Sequence, residues 1–133
     1  PKLAMHFAHR APSIALGNLD VEREFNDVQT VCDAYLLLLA HGTAGEAYNI
    51  CSGRPYALRL VIDVLSRMTS HSPRIEVSPA FVRANEVHRL CGDPAKLHAL
   101  LAEHDVALGA PTLEETLARM LLAAKQDSNH QIK

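Results

Sequence analysis

The chain has 133 residues, enough for one domain with a modest hydrophobic core. Its 48% hydrophobic and 21% charged residues are globular values and exclude wholesale disorder. A formal net charge of -2 leaves no electrostatic footprint for nucleic acid or for an anionic membrane surface.

Three cysteines, Cys32, Cys51 and Cys91, are too few and too scattered for a disulfide framework; with Cys32 within an apolar helix and Cys51 ending an apolar strand, they read as buried thiols of a reducing cytoplasm. The segment from Pro1 to His6 lacks the apolar core of a signal peptide. The longest apolar run, from Ala34 to Ala40, is far short of a membrane span. Proline stands first and residues 2–8 already read as helix interior, so the expectation is a fragment of a longer protein.

Residues 2–9 spell a short amphipathic helix with Leu3, Met5, Phe7 and Ala8 on its apolar side, broken at Pro12. Ile14-Ala15-Leu16 is a brief strand before a loop that opens at Gly17 and runs to Asn26. From Asp27, a good N-cap, to about Ala40 the apolar residues Val28, Val31, Tyr35, Leu36, Leu38 and Leu39 cover more than one face. That pattern predicts a helix buried on two sides. A strand is predicted over Glu46–Cys51, closed by the turn Ser52-Gly53-Arg54-Pro55.

A second amphipathic helix follows from about Leu58, with Leu58, Val61, Ile62, Leu65 and Met68 at spacings of three and four. Arg74–Val77 alternates like a strand, and Val87–Cys91 is a further short candidate. Asp93-Pro94 starts another helix. Thr112-Leu113-Glu114-Glu115 is a capping box for the last one. The expected division is a domain over residues 1–125 and a frayed polar tail over 126–133. Strand–helix alternation favours α/β over an all-helical bundle, although the strands are few for a complete sheet.

Arg23, in the loop feeding the apolar helix, can hold an anion, since a planar guanidinium grips phosphate oxygens in bidentate fashion. It can equally pair with Glu22 or Glu24 at the surface. Asn18 reads as a possible ligand contact or as turn chemistry. The eight histidines and three cysteines form no set with zinc spacing, so no metal site is predicted, and no catalytic residue is assigned.

Three segments in register resemble the C-terminal part of extended short-chain dehydrogenase/reductases acting on nucleotide sugars. They are Gly17-Asn18-Leu19-Asp20 through Arg23-Glu24-Phe25-Asn26-Asp27-Val28, then Glu46-Ala47-Tyr48-Asn49-Ile50-Cys51-Ser52-Gly53. The third is Arg83-Ala84-Asn85-Glu86-Val87 with Gly92-Asp93-Pro94-Ala95-Lys96-Leu97. The Gly-Asn-Leu-Asp opening and the Cys-Ser-Gly turn look most like the GDP-sugar branch, which includes GDP-mannose 4,6-dehydratase and GDP-4-keto-6-deoxy-D-mannose reductase.

The resemblance implies the C-terminal portion of a Rossmann-type fold, helix-rich with a few short strands, whose cofactor half lies upstream. It implies a sugar nucleotide as partner, with Arg23 and Arg83 on the diphosphate and Asn18 and Glu86 as further substrate contacts. NAD(P) would be bound by the other half, and the parent would be a homodimer. The chain departs from the pattern at Glu24, where Asp is usual, and at Ala84, where Pro is usual. It has no Gly-x-x-Gly-x-x-Gly run, and Tyr35, Tyr48 and Tyr56 lack a Lys four residues on. By itself it is expected to be inactive and to self-associate. A dehydratase or epimerase substrate domain, or a non-catalytic binding or assembly module of the same fold, are the alternatives.

Overall fold

The computed structural model describes residues 2–82 and 85–130. In chain order the elements are α1 (Lys2–Ala8), β1 (Ser13–Leu16), β2 (Glu22–Glu24), α2 (Val28–His41), β3 (Pro55–Ala57), α3 (Leu58–Thr69), β4 (Arg74–Val77), α4 (Ala95–Glu103) and α5 (Leu113–His130). β1 pairs in parallel with β4, Ile14 opposite Ile75, and β2 pairs antiparallel with β3, Arg23 opposite Tyr56.

The main core forms where the apolar faces of α1, β1, α3 and α5 meet. Phe7, Ile14, Val61, Leu65 and Leu117 are nearly or fully excluded from solvent there. α3 has no side-chain N-cap, yet two of its orphan N–H groups are satisfied. Leu58 N–H donates to Val21 C=O at 3.2 Å and Arg59 N–H to Leu19 C=O at 3.0 Å. At the other end Ser70 turns left-handed at φ 48°, and Arg10 donates to the carbonyls of Thr69 and Ser70 at 3.2 and 3.3 Å. The loop entered at Gly17 is therefore strapped to the start of α3. Its approach to Phe81 is close enough that a Cβ at residue 17 would lie 2.5 Å from the Phe81 carbonyl oxygen.

A smaller core joins α2 to α4 through Ala34, Leu97 and Leu101, flanked by Leu37, Leu38, Tyr48 and Ile50. Asp27 ties the two cores together. Its carboxylate accepts from Gln29 N–H at 2.9 Å, capping α2, and forms an ion pair with Arg119 of α5 at 3.2 Å. The capping box of α5 is formed reciprocally: Thr112 N–H and Oγ–H donate to Glu115 Oε2 at 2.7 and 3.0 Å, and Glu115 N–H donates to Thr112 Oγ at 3.2 Å.

Four expectations need correction. Residues 46–51 make no strand, because no ladder partner lies beside them among the described residues. Side chains hold the segment instead: Asn49 Nδ2 donates to Asp93 C=O at 3.1 Å and Lys96 Nζ to Ala47 C=O at 2.9 Å. α2 is not covered on two sides within this chain. Only Ala34 is buried, while Val28, Tyr35, Leu36 and Leu39 are 76%, 61%, 66% and 84% exposed. Val87–Cys91 is reduced to one bridge, Arg89 beside Glu22. Finally, Cys32, read as a buried thiol, is exposed on α2, because no neighbour covers that part of the helix among the described residues; α5 runs on to His130. Conversely, β2 and β3 lie where a loop and a turn were read; three residues each are too short to show alternation, and only their mutual pairing makes them strands.

Candidate functional site

β2 is the middle of a small three-segment arrangement, with β3 along one edge and residues 88–90 along the other. Glu22 N–H donates to His88 C=O at 2.8 Å, and Leu90 N–H donates to Glu22 C=O at 3.1 Å. Side chains alternate along a strand, so Arg23 projects away from Glu22 and Glu24.

The Arg23 guanidinium donates to its neighbour Glu22 C=O at 2.7 Å, to His88 C=O at 3.2 Å and to Val87 C=O at 2.7 Å. Three of its five N–H donors are thus engaged, which leaves Nε–H and one Nη2–H for other acceptors among the described residues. The surface pairing with Glu22 or Glu24 weighed from sequence is not formed: Glu22 pairs with Arg89 at 3.3 Å. Glu86 lies one residue from the carbonyl that Arg23 holds, and its Oε2 is buried without a hydrogen-bond partner among the described residues. A buried carboxylate oxygen in that state calls for a donor. Asn18 is spent locally, its Oδ1 accepting from Asp20 N–H at 3.0 Å, which is turn chemistry. Arg83 lies outside the described residues. The structure therefore brings Arg23 and Glu86 to one place and sets Asn18 in its own turn.

Glu24 was missed as more than a departure from a motif. Its Oε2 accepts from Ser52 N–H at 2.6 Å, Ser52 Oγ–H at 2.9 Å and Gly53 N–H at 3.2 Å, and its Oε1 accepts from Gly92 N–H at 2.5 Å. Desolvation opposes the charge, but these donors outweigh it and hold the carboxyl below its ordinary value. The thiols nearby move the other way. Burial and the Glu24 charge push Cys51 up, and burial and a hydrogen bond to Glu24 push Cys91 up. Both stay protonated, which gives no support to thiolate chemistry.

A cavity of about 120 Å³ opens between the start of α2, the 51–54 turn and the loop before α5, lined by Phe25, Asn26, Thr30, Ser52, Tyr56 and Pro111 among others. Among the described residues no three His, Cys, Asp or Glu side chains gather as a metal set. Nor is any described helix long and apolar enough to cross a membrane.

A family model described as GDP-mannose 4,6 dehydratase matches residues 2–102. A GDP-6-deoxy-D-mannose reductase of Pseudomonas aeruginosa is 42% identical over 89 residues, 67% of this chain and 29% of that protein. A GDP-6-deoxy-D-talose 4-dehydrogenase of Aggregatibacter actinomycetemcomitans is 33% identical over 97 residues, 73% of this chain and 33% of that protein. The structure of RMD from Pseudomonas aeruginosa complexed with NADPH aligns with a TM-score of 0.82 at 30% identity, over 95% of this chain and 42% of that one. The chain thus spans about a third of the length of the curated relatives it matches. Three motifs in register, the helix-rich α/β arrangement around β2 and a family match over most of the residues lead to one conclusion: the chain belongs to the GDP-mannose 4,6-dehydratase family, within the extended short-chain dehydrogenase fold.

Proposed function

We propose that this chain forms the nucleotide-holding side of the substrate site in an NAD(P)-dependent oxidoreductase acting on a GDP-sugar, of the GDP-4-keto-6-deoxy-D-mannose reductase type. The observation that carries the reading is the Arg23 hydrogen bond to Val87 C=O, next in sequence to Glu86, whose Oε2 is buried with no hydrogen-bond partner among the described residues. A cation with spare donors suits a diphosphate, and a buried acceptor suits a ribose or base donor. Arg83, on the same segment, is proposed as the second phosphate contact. Asn18 is proposed at the nucleotide through its side-chain amide N–H groups, since its oxygen is committed to the turn. The two curated relatives support the GDP assignment, as both are named for redox enzymes of a GDP-6-deoxy sugar.

The chain's own residues do not fit a dinucleotide. It has no glycine-rich phosphate loop and no Tyr-x-x-x-Lys pair, so the cofactor that supplies hydride is proposed to sit on residues outside this chain. What these residues contribute is grip: binding energy on the nucleotide, remote from the reacting carbon, that orients the sugar ring.

Titration of GDP, UDP and dTDP onto the full-length protein tests the substrate class. GDP is expected to bind tightest, and equal weak binding of all three overturns the assignment. Arg23→Ala is expected to raise KM for the sugar nucleotide by about 10- to 100-fold, the scale of a lost charged hydrogen bond, with NAD(P)H affinity unaltered. An unchanged KM removes Arg23 from the site.

A further inference from the structure

We propose that Glu24 is a positioning residue, whose carboxylate fastens the 52–53 turn and Gly92 to the end of β2 and thereby sets the place of the 86–90 segment against the sugar nucleotide. The inference rests on the substrate assignment above; the geometry of Glu24 does not.

Three consecutive residues of β2 hold the segment from Val87 to Gly92 at successive points. Arg23 takes the carbonyls of Val87 and His88, the Glu22 backbone exchanges bonds with His88 and Leu90, and Glu24 takes the Gly92 N–H. Only Glu24 reaches two loops at once. Its second oxygen carries three donors from Ser52 and Gly53, 28 and 29 residues away in sequence, while Gly92 is 68 away. The two loops also touch directly, since a Cβ at Gly92 would lie 2.7 Å from Cys51 Sγ. The carboxylate therefore accepts three backbone N–H groups and one hydroxyl, divided between its two oxygens. An ionised carboxylate accepts on both oxygens, whereas a carboxamide accepts on one and presents N–H donors from the other. Glu24→Gln must set donors against donors at either Gly92 or Ser52. Aspartate, one methylene shorter, keeps the charge but cannot span both loops. Because Arg23 bonds the same segment, release at Gly92 loosens the Val87 and His88 carbonyls it grips and Glu86, next in sequence to them.

The test uses the full-length protein in wild-type, Glu24→Gln, Glu24→Asp and Ser52→Ala forms, read by amide hydrogen exchange and by GDP and NADPH affinities. Glu24→Gln is expected to speed exchange at Ser52, Gly53, Gly92 and residues 88–90 by about tenfold or more, and to raise the GDP Kd by about tenfold, as loss of charged hydrogen bonds would. Exchange in α3 and the NADPH Kd are expected to stay unaltered, which a general loss of stability would not allow. Glu24→Asp is expected to fall between wild type and Glu24→Gln.

Ser52→Ala deletes the hydroxyl donor to Glu24 together with the Oγ that accepts Arg54 N–H at 3.2 Å, keeps the Ser52 N–H bond to Glu24, and is expected to raise the GDP Kd by about two- to fivefold. If Glu24→Gln does not fold, Glu24→Asp and Ser52→Ala decide, and wild-type GDP affinity in both overturns the role. It is also overturned by a Glu24→Gln protein that binds GDP as the wild type does, or that loses GDP and NADPH affinity in parallel. A wild-type protein that binds none of GDP, UDP or dTDP overturns the substrate assignment itself, and Glu24's role with it.

Discussion

Arg23 and Glu24 are neighbours on one short strand and do opposite work. Strand alternation turns the arginine toward carbonyl oxygens of the 87–88 segment and the glutamate toward N–H groups of the 52–53 and 92 turns. Carbonyls want a donor and amides want an acceptor: the arginine binds Val87 C=O and the His88 C=O that Glu22 N–H also reaches, and the glutamate binds N–H groups of Ser52, Gly53 and Gly92. Glu115 illustrates the same chemistry at a helix start. Thr112 N–H and Oγ–H, the largest influences, hold its carboxyl below the ordinary value of 4.5. A depressed folded-state value means that its contribution to stability is fully present above about pH 5 and lost as pH falls through the folded value. Urea unfolding of wild type and Glu115→Gln between pH 3 and 7 checks this: the two are expected to converge at the acid end. A difference independent of pH contradicts it. Glu115 is visible in the sequence through its capping-box spacing, whereas Glu24's role is silent there because its four donors come from distant loops.

At the scale of elements, α2 is the departure that matters. Its apolar residues were legible from sequence and its helix ends are as expected, with Asp27 as N-cap. What periodicity cannot say is which neighbours exist to cover a face. α4 covers one side, and the face carrying Leu36 and Leu39 remains open to solvent in this chain. The expected consequence is self-association of the isolated chain, since large exposed apolar patches seek cover. Leu36→Glu/Leu39→Glu is expected to shift it toward monomer in light scattering across a concentration series. A wild-type chain that is monomeric at high concentration contradicts the prediction. Residues 46–51 follow the same logic: a composition suited to a strand stays unpaired when no strand lies alongside.

For the whole molecule, the proposed division of labour gives this chain the nucleotide of the substrate and assigns the dinucleotide to residues outside it. The purified 133-residue chain is therefore expected to show no NADPH binding by fluorescence and no turnover of a GDP-4-keto sugar. Saturable NADPH binding by the chain alone would place the cofactor site here and refute the division of labour.

Periodicity, caps and turn residues suffice to predict α1, α3, β1, β4 and the starts of α2 and α5, because the forces that form them act within a few residues. The three motifs were equally open to reading, since a family pattern is written in residue identities. Only the tertiary structure decided the rest: that β2 and β3 are strands, that 46–51 is not, and that one face of α2 lies open. It also decided that Glu24 gathers four donors. Each of these depends on which distant segments meet, and a hydrogen bond or a buried face needs its partner in place before it exists.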